Sequence, residues 1–244
     1  MNAQPTPRLL EGQNAPVTGA NSGIGEGIAR ELAARGANVA VNYVVHPEIA
    51  QAICDDLGKQ GVKAIAIQAD VSREEQVQAM FAQAVKEFGT LDIVCSNAGI
   101  QRDSRLTDMT LEQWNQVIGV NLTGTFLCTR AALPLMRSGG AIVNNLSVAA
   151  KGVFAGESAY CAAKHGALGF TDTLREELRG RGIRVIALVP GPTDTEIWDQ
   201  FWPEAPREKM MRPETVTTAV VQALSLPEEA TVDELRLSPT TGKL

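Results

Sequence analysis

The feature that most constrains this chain is a regular alternation of short apolar runs with longer segments of helical period. Apolar runs stand at Ala15 to Thr18, Asn38 to Val44, Ala64 to Gln68, Leu91 to Ser96, Ala141 to Leu146 and Arg184 to Val189. They read as buried strands. Between them, the spacing predicts helices over Ile24 to Arg35, Pro47 to Gln60, Arg73 to Phe88, Leu111 to Arg137, Ser158 to Arg179 and Pro213 to Leu224, with a last strand near Glu234 to Leu237. Parallel strands joined through helices require right-handed crossovers. The pattern therefore predicts an α/β protein: three layers, with a doubly wound parallel sheet covered by helices on both faces. No linker interrupts the rhythm, so one domain is expected over residues 11–244, after a loose end with two prolines over residues 1–10.

Composition narrows the function classes. With 244 residues, 44% of them hydrophobic and 20% charged, the chain can bury a sizeable core. A net charge of -6 without a basic cluster argues against nucleic acid or an anionic membrane as the main partner, and leaves a small molecule. Cys54, Cys95, Cys128 and Cys161 match no metal-ligand spacing and sit beside apolar residues, so buried free thiols and no metal are expected. No charged start leads into an apolar run, and no apolar stretch is long enough to span a bilayer; the chain reads as cytoplasmic.

Several stretches carry chemistry. Thr18-Gly19-Ala20-Asn21-Ser22-Gly23-Ile24-Gly25 joins the first strand to a helix. Glycines there let backbone N–H groups approach a pyrophosphate, and the helix start supplies unpaired donors. The second strand ends Val41-Asn42-Tyr43-Val44, with neither a carboxylate to repel a 2'-phosphate nor a basic residue to attract one. NADP and NAD both remain open, with a lean to NADP; His46 is either a surface histidine or a contact. Asp70, after the third strand, suits an adenine amino group or a helix cap beside Ser72. Tyr160 and Lys164, four apart on a helix, share one face, and a cation beside a phenol favours the phenolate. The Pro190 to Arg212 segment, rich in proline, predicts an irregular loop whose Trp198, Phe201 and Trp202 either close over a ligand or pack onto the domain.

With these residues in place, the chain resembles the short-chain dehydrogenase/reductase family in its compact single-domain branch, over almost everything after residue 10. Thr18 to Gly25 is similar to the family's glycine motif, Asp70-Val71 to its adenine contact and Asn97-Ala98-Gly99 to its Asn-Ala-Gly turn. Asn121, Ser147, Tyr160 and Lys164 resemble the catalytic set, and Pro190-Gly191 with Thr193 and Thr195 the nicotinamide segment. Ser96 and Leu146 stand where asparagine and serine are usual, and neither change removes a catalytic group. Ser158 is nearer to Tyr160 than Ser147, but it opens the helix, where capping is its expected role. Residues 42–127 look like the glucose dehydrogenase branch, whereas Gly152 to Glu157 and the Trp198 to Arg212 loop look like a generic branch with unassigned carbonyl substrates.

The resemblance implies a Rossmann fold that transfers a hydride between NADP or NAD and a carbonyl or alcohol. Tyr160 would act as general acid and base, Lys164 would lower its pKa and hold ribose hydroxyls, Ser147 would bond the carbonyl oxygen and Asn121 would hold a relay water. Gly19, Ser22, Gly23, Ile24, Gly25, Tyr43, Asp70, Val71, Asn97, Ala98 and Gly99 complete the expected cofactor contacts. The resemblance also implies a homotetramer, although a dimer would serve the long helices equally well. A cofactor-binding sensor or scaffold without turnover is the rival, and an intact Asn121, Ser147, Tyr160 and Lys164 set speaks against it.

Overall fold

Seven parallel strands make one sheet in the computed structural model, which describes residues 8–242. They are β1 (Asn14–Val17), β2 (Asn38–Tyr43), β3 (Ala64–Gln68), β4 (Leu91–Ser96), β5 (Met136–Asn145), β6 (Arg184–Pro190) and β7 (Glu234–Leu237), in the order β3-β2-β1-β4-β5-β6-β7. The chain steps outward from β1 to β3, then returns to place β4 on the other side of β1. This reversal opens a crevice at the carboxyl ends of β1 and β4, the place where open α/β sheets bind ligands. β1, β4 and β6 are buried almost throughout, which is why their sequences run apolar without alternating.

Each face of the sheet has its own core. One takes Ile28 and Leu32 of α1 (Gly23–Ala34), Ile53 and Leu57 of α2 (Pro47–Gly58) and Val216 and Val220 of α7 (Pro213–Leu224). The other takes Val77 and Phe81 of α3 (Glu74–Phe88), Leu127 of α5 (Gly124–Ala132) and Leu174 of α6 (Ser158–Leu178). The expected three-layer, doubly wound single domain is what forms. No described helix is long and apolar enough to cross a membrane.

Three expectations need correction. Residues 1–7 of the expected loose end lie outside the described residues, but Leu10 is buried and its N–H donates to Arg35 O at 2.9 Å, so the fold starts before residue 11. The helix expected over Leu111 to Arg137 is broken. It runs as α4 (Leu111–Ile118), widens into a π turn at Gly119–Thr123, continues as α5 and stops in a short turn at Leu133–Leu135, where Pro134 has no N–H to continue it. The chain from Met136 then joins the sheet as the first part of β5, where Met136 pairs with Leu91. Finally, Cys161 is part-exposed, whereas Cys54, Cys95 and Cys128 are buried, and burial holds the Cys95 and Cys128 thiols up at about 12.

Phe81 fills the second core with no measurable exposure. Phe81→Ala is expected to lower the unfolding free energy by about 3–5 kcal/mol, read from urea denaturation.

Candidate active site

One cavity of about 720 Å³ lies in the crevice at the carboxyl ends of the strands. Its floor is the β1–α1 turn. Gly19 there has φ +58°, and a Cβ on it would stand 3.0 Å from Ala98 Cα, so the turn can lie against the Asn97-Ala98-Gly99 segment only as glycine. Gly25 does not reach the cavity; a Cβ on it would stand 2.2 Å from Gly19 O, so its work is to let α1 approach the turn. Ser22 caps α1 in an extended conformation without a side-chain hydrogen bond, which leaves the first-turn N–H groups of a 12-residue helix for an anion. Gly19, Ser22, Gly23 and Ile24 all line the cavity, and this cradle fits a dinucleotide pyrophosphate.

The turn is held from the sheet. Thr18 Oγ1 accepts from the N–H groups of Asn97 (2.9 Å) and Ala98 (3.0 Å), and Asn97 Nδ2 donates to Thr18 O (2.9 Å) and Gly19 O (3.0 Å). From the other side, Asn42 Oδ1 accepts from Gly19 N–H at 3.1 Å. Tyr43, the expected contact on β2, lies outside the cavity lining and packs against the first core; its neighbours Val44 and Val45 line the cavity instead. Asp70 and Val71 do line it. The Asp70 carboxylate also accepts from Ser72 N–H (2.9 Å) and Ser72 Oγ (2.7 Å), but Arg73 stands at the start of α3 and no side chain caps that helix, so Asp70 holds the turn in the wall and is not the helix cap.

Ser147, Tyr160 and Lys164 meet in the same cavity, with Pro190, Gly191, Thr193 and Thr195 opposite. The spacing on α6 brings the Lys164 ammonium over the Tyr160 ring, 5.5 Å from its centroid. Lys164 is buried, and its Nζ donates to Asn145 O at 2.9 Å. Burial lowers its pKa to about 8. Burial also raises the Tyr160 phenol to about 12, and a hydrogen bond from Ser147 offsets only part of that rise. Burial, not the Lys164 ammonium, thus dominates the phenol, the opposite of the expected pull toward a phenolate. Asn121 lies behind the cavity in the π turn. Its Nδ2 donates to Ile100 O (2.8 Å) and Val117 O (3.0 Å), and its Oδ1 is buried without a partner. That oxygen and Lys164 Nζ lie 2.8 Å and 3.7 Å from the point where a Gly99 side chain would project.

Ser158 does not cap α6. Glu157 occupies the capping position, no side chain caps the helix, and the Ser158 hydroxyl contacts Met109 Sδ at 3.7 Å. In the Pro190 to Arg212 loop the aromatics pack together, and two of the three border the cavity. Trp198 Nε1 donates to Thr193 O at 2.8 Å and its ring packs 5.0 Å from Phe201, while both rings line the cavity.

Four residues escaped the sequence reading: Asn42, Asn145, Gln101 and Glu157. Asn145 Nδ2 donates to Asn97 Oδ1 at 2.8 Å, which links β5 to the β4 turn. The signal was present in two adjacent amides, Asn144 and Asn145, on an otherwise apolar strand, since buried amides need partners.

The arrangement defines a class: a doubly wound α/β protein with a dinucleotide cradle and a part-buried phenol beside a buried amine in one cavity. The model for the short chain dehydrogenase family matches residues 13–206, and the chain belongs to that family. It is accordingly an NAD(P)-dependent oxidoreductase. The 3-oxoacyl-(acyl-carrier-protein) reductase FabG of Staphylococcus aureus is 41% identical over 201 residues, covering 82% of this chain and 81% of the relative. The hydroxynaphthalene reductase-like protein Arp2 of Metarhizium majus is 38% identical over 210 residues, covering 85% and 79%. A short chain dehydrogenase from Burkholderia cenocepacia in complex with NADP superposes with a TM-score of 0.87 at 35% identity, over 96% of this chain and 98% of that one. An alcohol dehydrogenase from the archaeon Thermococcus sibiricus, complexed with 5-hydroxy-NADP, gives 0.88 at 30% identity, over 95% and 98%.

Burial and the Asp103 carboxylate raise Glu157 from 4.5 to about 7, against a Gln101 hydrogen bond that lowers it. A raised carboxyl leaves stability intact below the unfolded pKa and removes it as pH climbs through the folded one. Glu157→Gln is therefore expected to leave the melting temperature unchanged near pH 4 and to raise it at pH 8 by about 2–4 °C, the shift that ~1 kcal/mol gives in a domain of this size. Thermal unfolding at the two pH values checks this.

Proposed function

We propose that this protein reduces a carbonyl compound to an alcohol with NADPH, or NADH less readily, with Tyr160 as the proton donor. The observation that carries this reading is geometric: Ser147, Tyr160 and Lys164 line the same cavity as a dinucleotide cradle. A neutral phenol is the form that gives a proton to a developing alkoxide. Ser147, which hydrogen-bonds the phenol, also faces the cavity and would donate to the carbonyl oxygen as charge gathers there. Lys164, fixed by Asn145 O, keeps its remaining ammonium donors for ribose hydroxyls. The unpartnered Asn121 Oδ1 would accept from a water behind Lys164, which would return protons to the pair. Bound nicotinamide supplies the hydride. The expected cofactor contacts are those lining the cavity, with Asn42 and Gly25 shaping the cradle from outside it.

The lean to NADP draws support from the NADP-bound relative, and from a β2 end where Val44 and Val45, not a carboxylate, border the cavity. The carbonyl substrate is of the ketone or aldehyde kind, by way of the irregular loop bearing Trp198 and Phe201. A 3-oxoacyl thioester is the second reading, favoured by 41% identity to FabG. Assembly into a homodimer or homotetramer would use α5 and α6, where Phe126 meets Phe170 at 6.2 Å and stays 39% exposed.

Tyr160→Phe is expected to lower kcat by about 10²–10⁴-fold, the usual worth of a general acid, while NADPH still binds. Turnover from loss of reduced-nicotinamide absorbance and binding from cofactor fluorescence measure the two effects separately. Full activity in the variant would remove Tyr160 from the chemistry.

A further inference from the structure

The cavity wall next to Tyr160 carries two side chains that proton transfer does not use. Gln101 follows the Asn97-Ala98-Gly99 turn, is 6% exposed and donates from Nε2 to Asp103 Oδ1 at 3.0 Å. Glu157 precedes α6 by one residue and Tyr160 by three, so its carboxyl stands one helical turn from the phenol on the same side. Both line the cavity, together with Phe154, Trp198 and Phe201. Gln101 stands close enough to the Glu157 carboxyl to lower its pKa, and the negative charge of Glu157 raises that of the phenol. Two cations, Arg102 and Lys164, also line the cavity, and each is tied to a neighbour. Arg102 is exposed and donates to Gln101 O (3.0 Å) and Gln200 Oε1 (3.1 Å), and Lys164 donates to Asn145 O.

We propose that Gln101 and Glu157 set the substrate class: a neutral ketone or aldehyde with a hydroxyl on the carbon beside the carbonyl and an apolar remainder, with 2-oxo acids excluded. This rests on the reductase reading and names the substrate of that same site. A half-buried carboxylate accepts from a hydroxyl and gains a hydrogen bond. A substrate carboxylate in the same place brings two like charges together beside a half-buried group, which is unfavourable. Sites that hydrogen-bond a substrate hydroxyl discriminate strongly against analogues that lack it, because their own polar groups are then left unpaired. The aromatic side chains of Phe154, Trp198 and Phe201 offer the apolar remainder a surface to cover.

Three ketones of nearly equal size isolate the effect: 2-hydroxyacetophenone, propiophenone and phenylglyoxylate. At pH 8 with NADPH, kcat/KM is expected to favour the hydroxyketone over propiophenone by at least about tenfold and over the oxo acid by at least about a hundredfold. Glu157→Gln, which keeps the shape and removes the charge, is expected to shrink the second ratio by at least about tenfold, through a gain on phenylglyoxylate. Asp103→Asn, at an exposed position, is expected to move the ratio the same way by about threefold, and it carries the test if Glu157→Gln does not fold. Equal kcat/KM for the three ketones in the wild type, or an unchanged ratio in the variants, overturns the inference and leaves the reductase reading standing. No reduction of any of the three, or of a wider carbonyl panel, overturns the reductase reading and the inference with it.

Discussion

The Asn97 amide holds the carboxyl ends of three strands together. Its Nδ2 bonds two carbonyls of the β1 turn, its Oδ1 accepts from Asn145 at the end of β5, and its own N–H is fixed by Thr18. Parallel strands end in a row of carbonyl groups and loop starts that have no partners of their own, and a crevice is stable only if those groups are bonded. Asn97 meets that need across the switch point. It thereby fixes the distance between the dinucleotide cradle on β1 and the Lys164 anchor, the Asn145 carbonyl, on β5. The proposed cofactor seat and the proposed proton-transfer centre are two ends of one hydrogen-bonded chain.

Desolvation sets the chemistry at the second end. A lysine and a tyrosine four residues apart on an exposed helix face would titrate near their ordinary values. Here the same spacing lies against the sheet, and burial moves the phenol to about 12 and the amine to about 8. Both shifts favour the neutral forms, and a neutral phenol is the form that the proposed proton donation needs.

Much of this was legible in the sequence because it rests on short-range rules. Strand and helix alternation located the sheet, glycine spacing and the Tyr160–Lys164 interval located the cavity wall, and the family resemblance added Ser147 to it. The break in the helix after Ile118 was not legible, since nothing local in Gly119-Val120-Asn121-Leu122-Thr123 marks a π turn; Asn121 bonding Ile100 O across the fold marks it. Nor was the early start of β5 at Met136, which depends on pairing with Leu91. The Asn42 and Asn145 contacts and the Gln101–Glu157 pair escaped for the same reason. Their partners lie on other strands and loops, and only the folded sheet brings them together.

The central claim is that the cradle and the phenol serve a single hydride transfer to carbon. The most direct measurement is the reduction of 2-hydroxyacetophenone or another accepted ketone with NADPH carrying deuterium at both positions of the nicotinamide C4, followed by mass spectrometry of the alcohol. The account predicts one deuterium on the carbinol carbon, with the hydroxyl proton drawn from solvent. Cofactor that binds while no labelled alcohol forms from any carbonyl compound would contradict it.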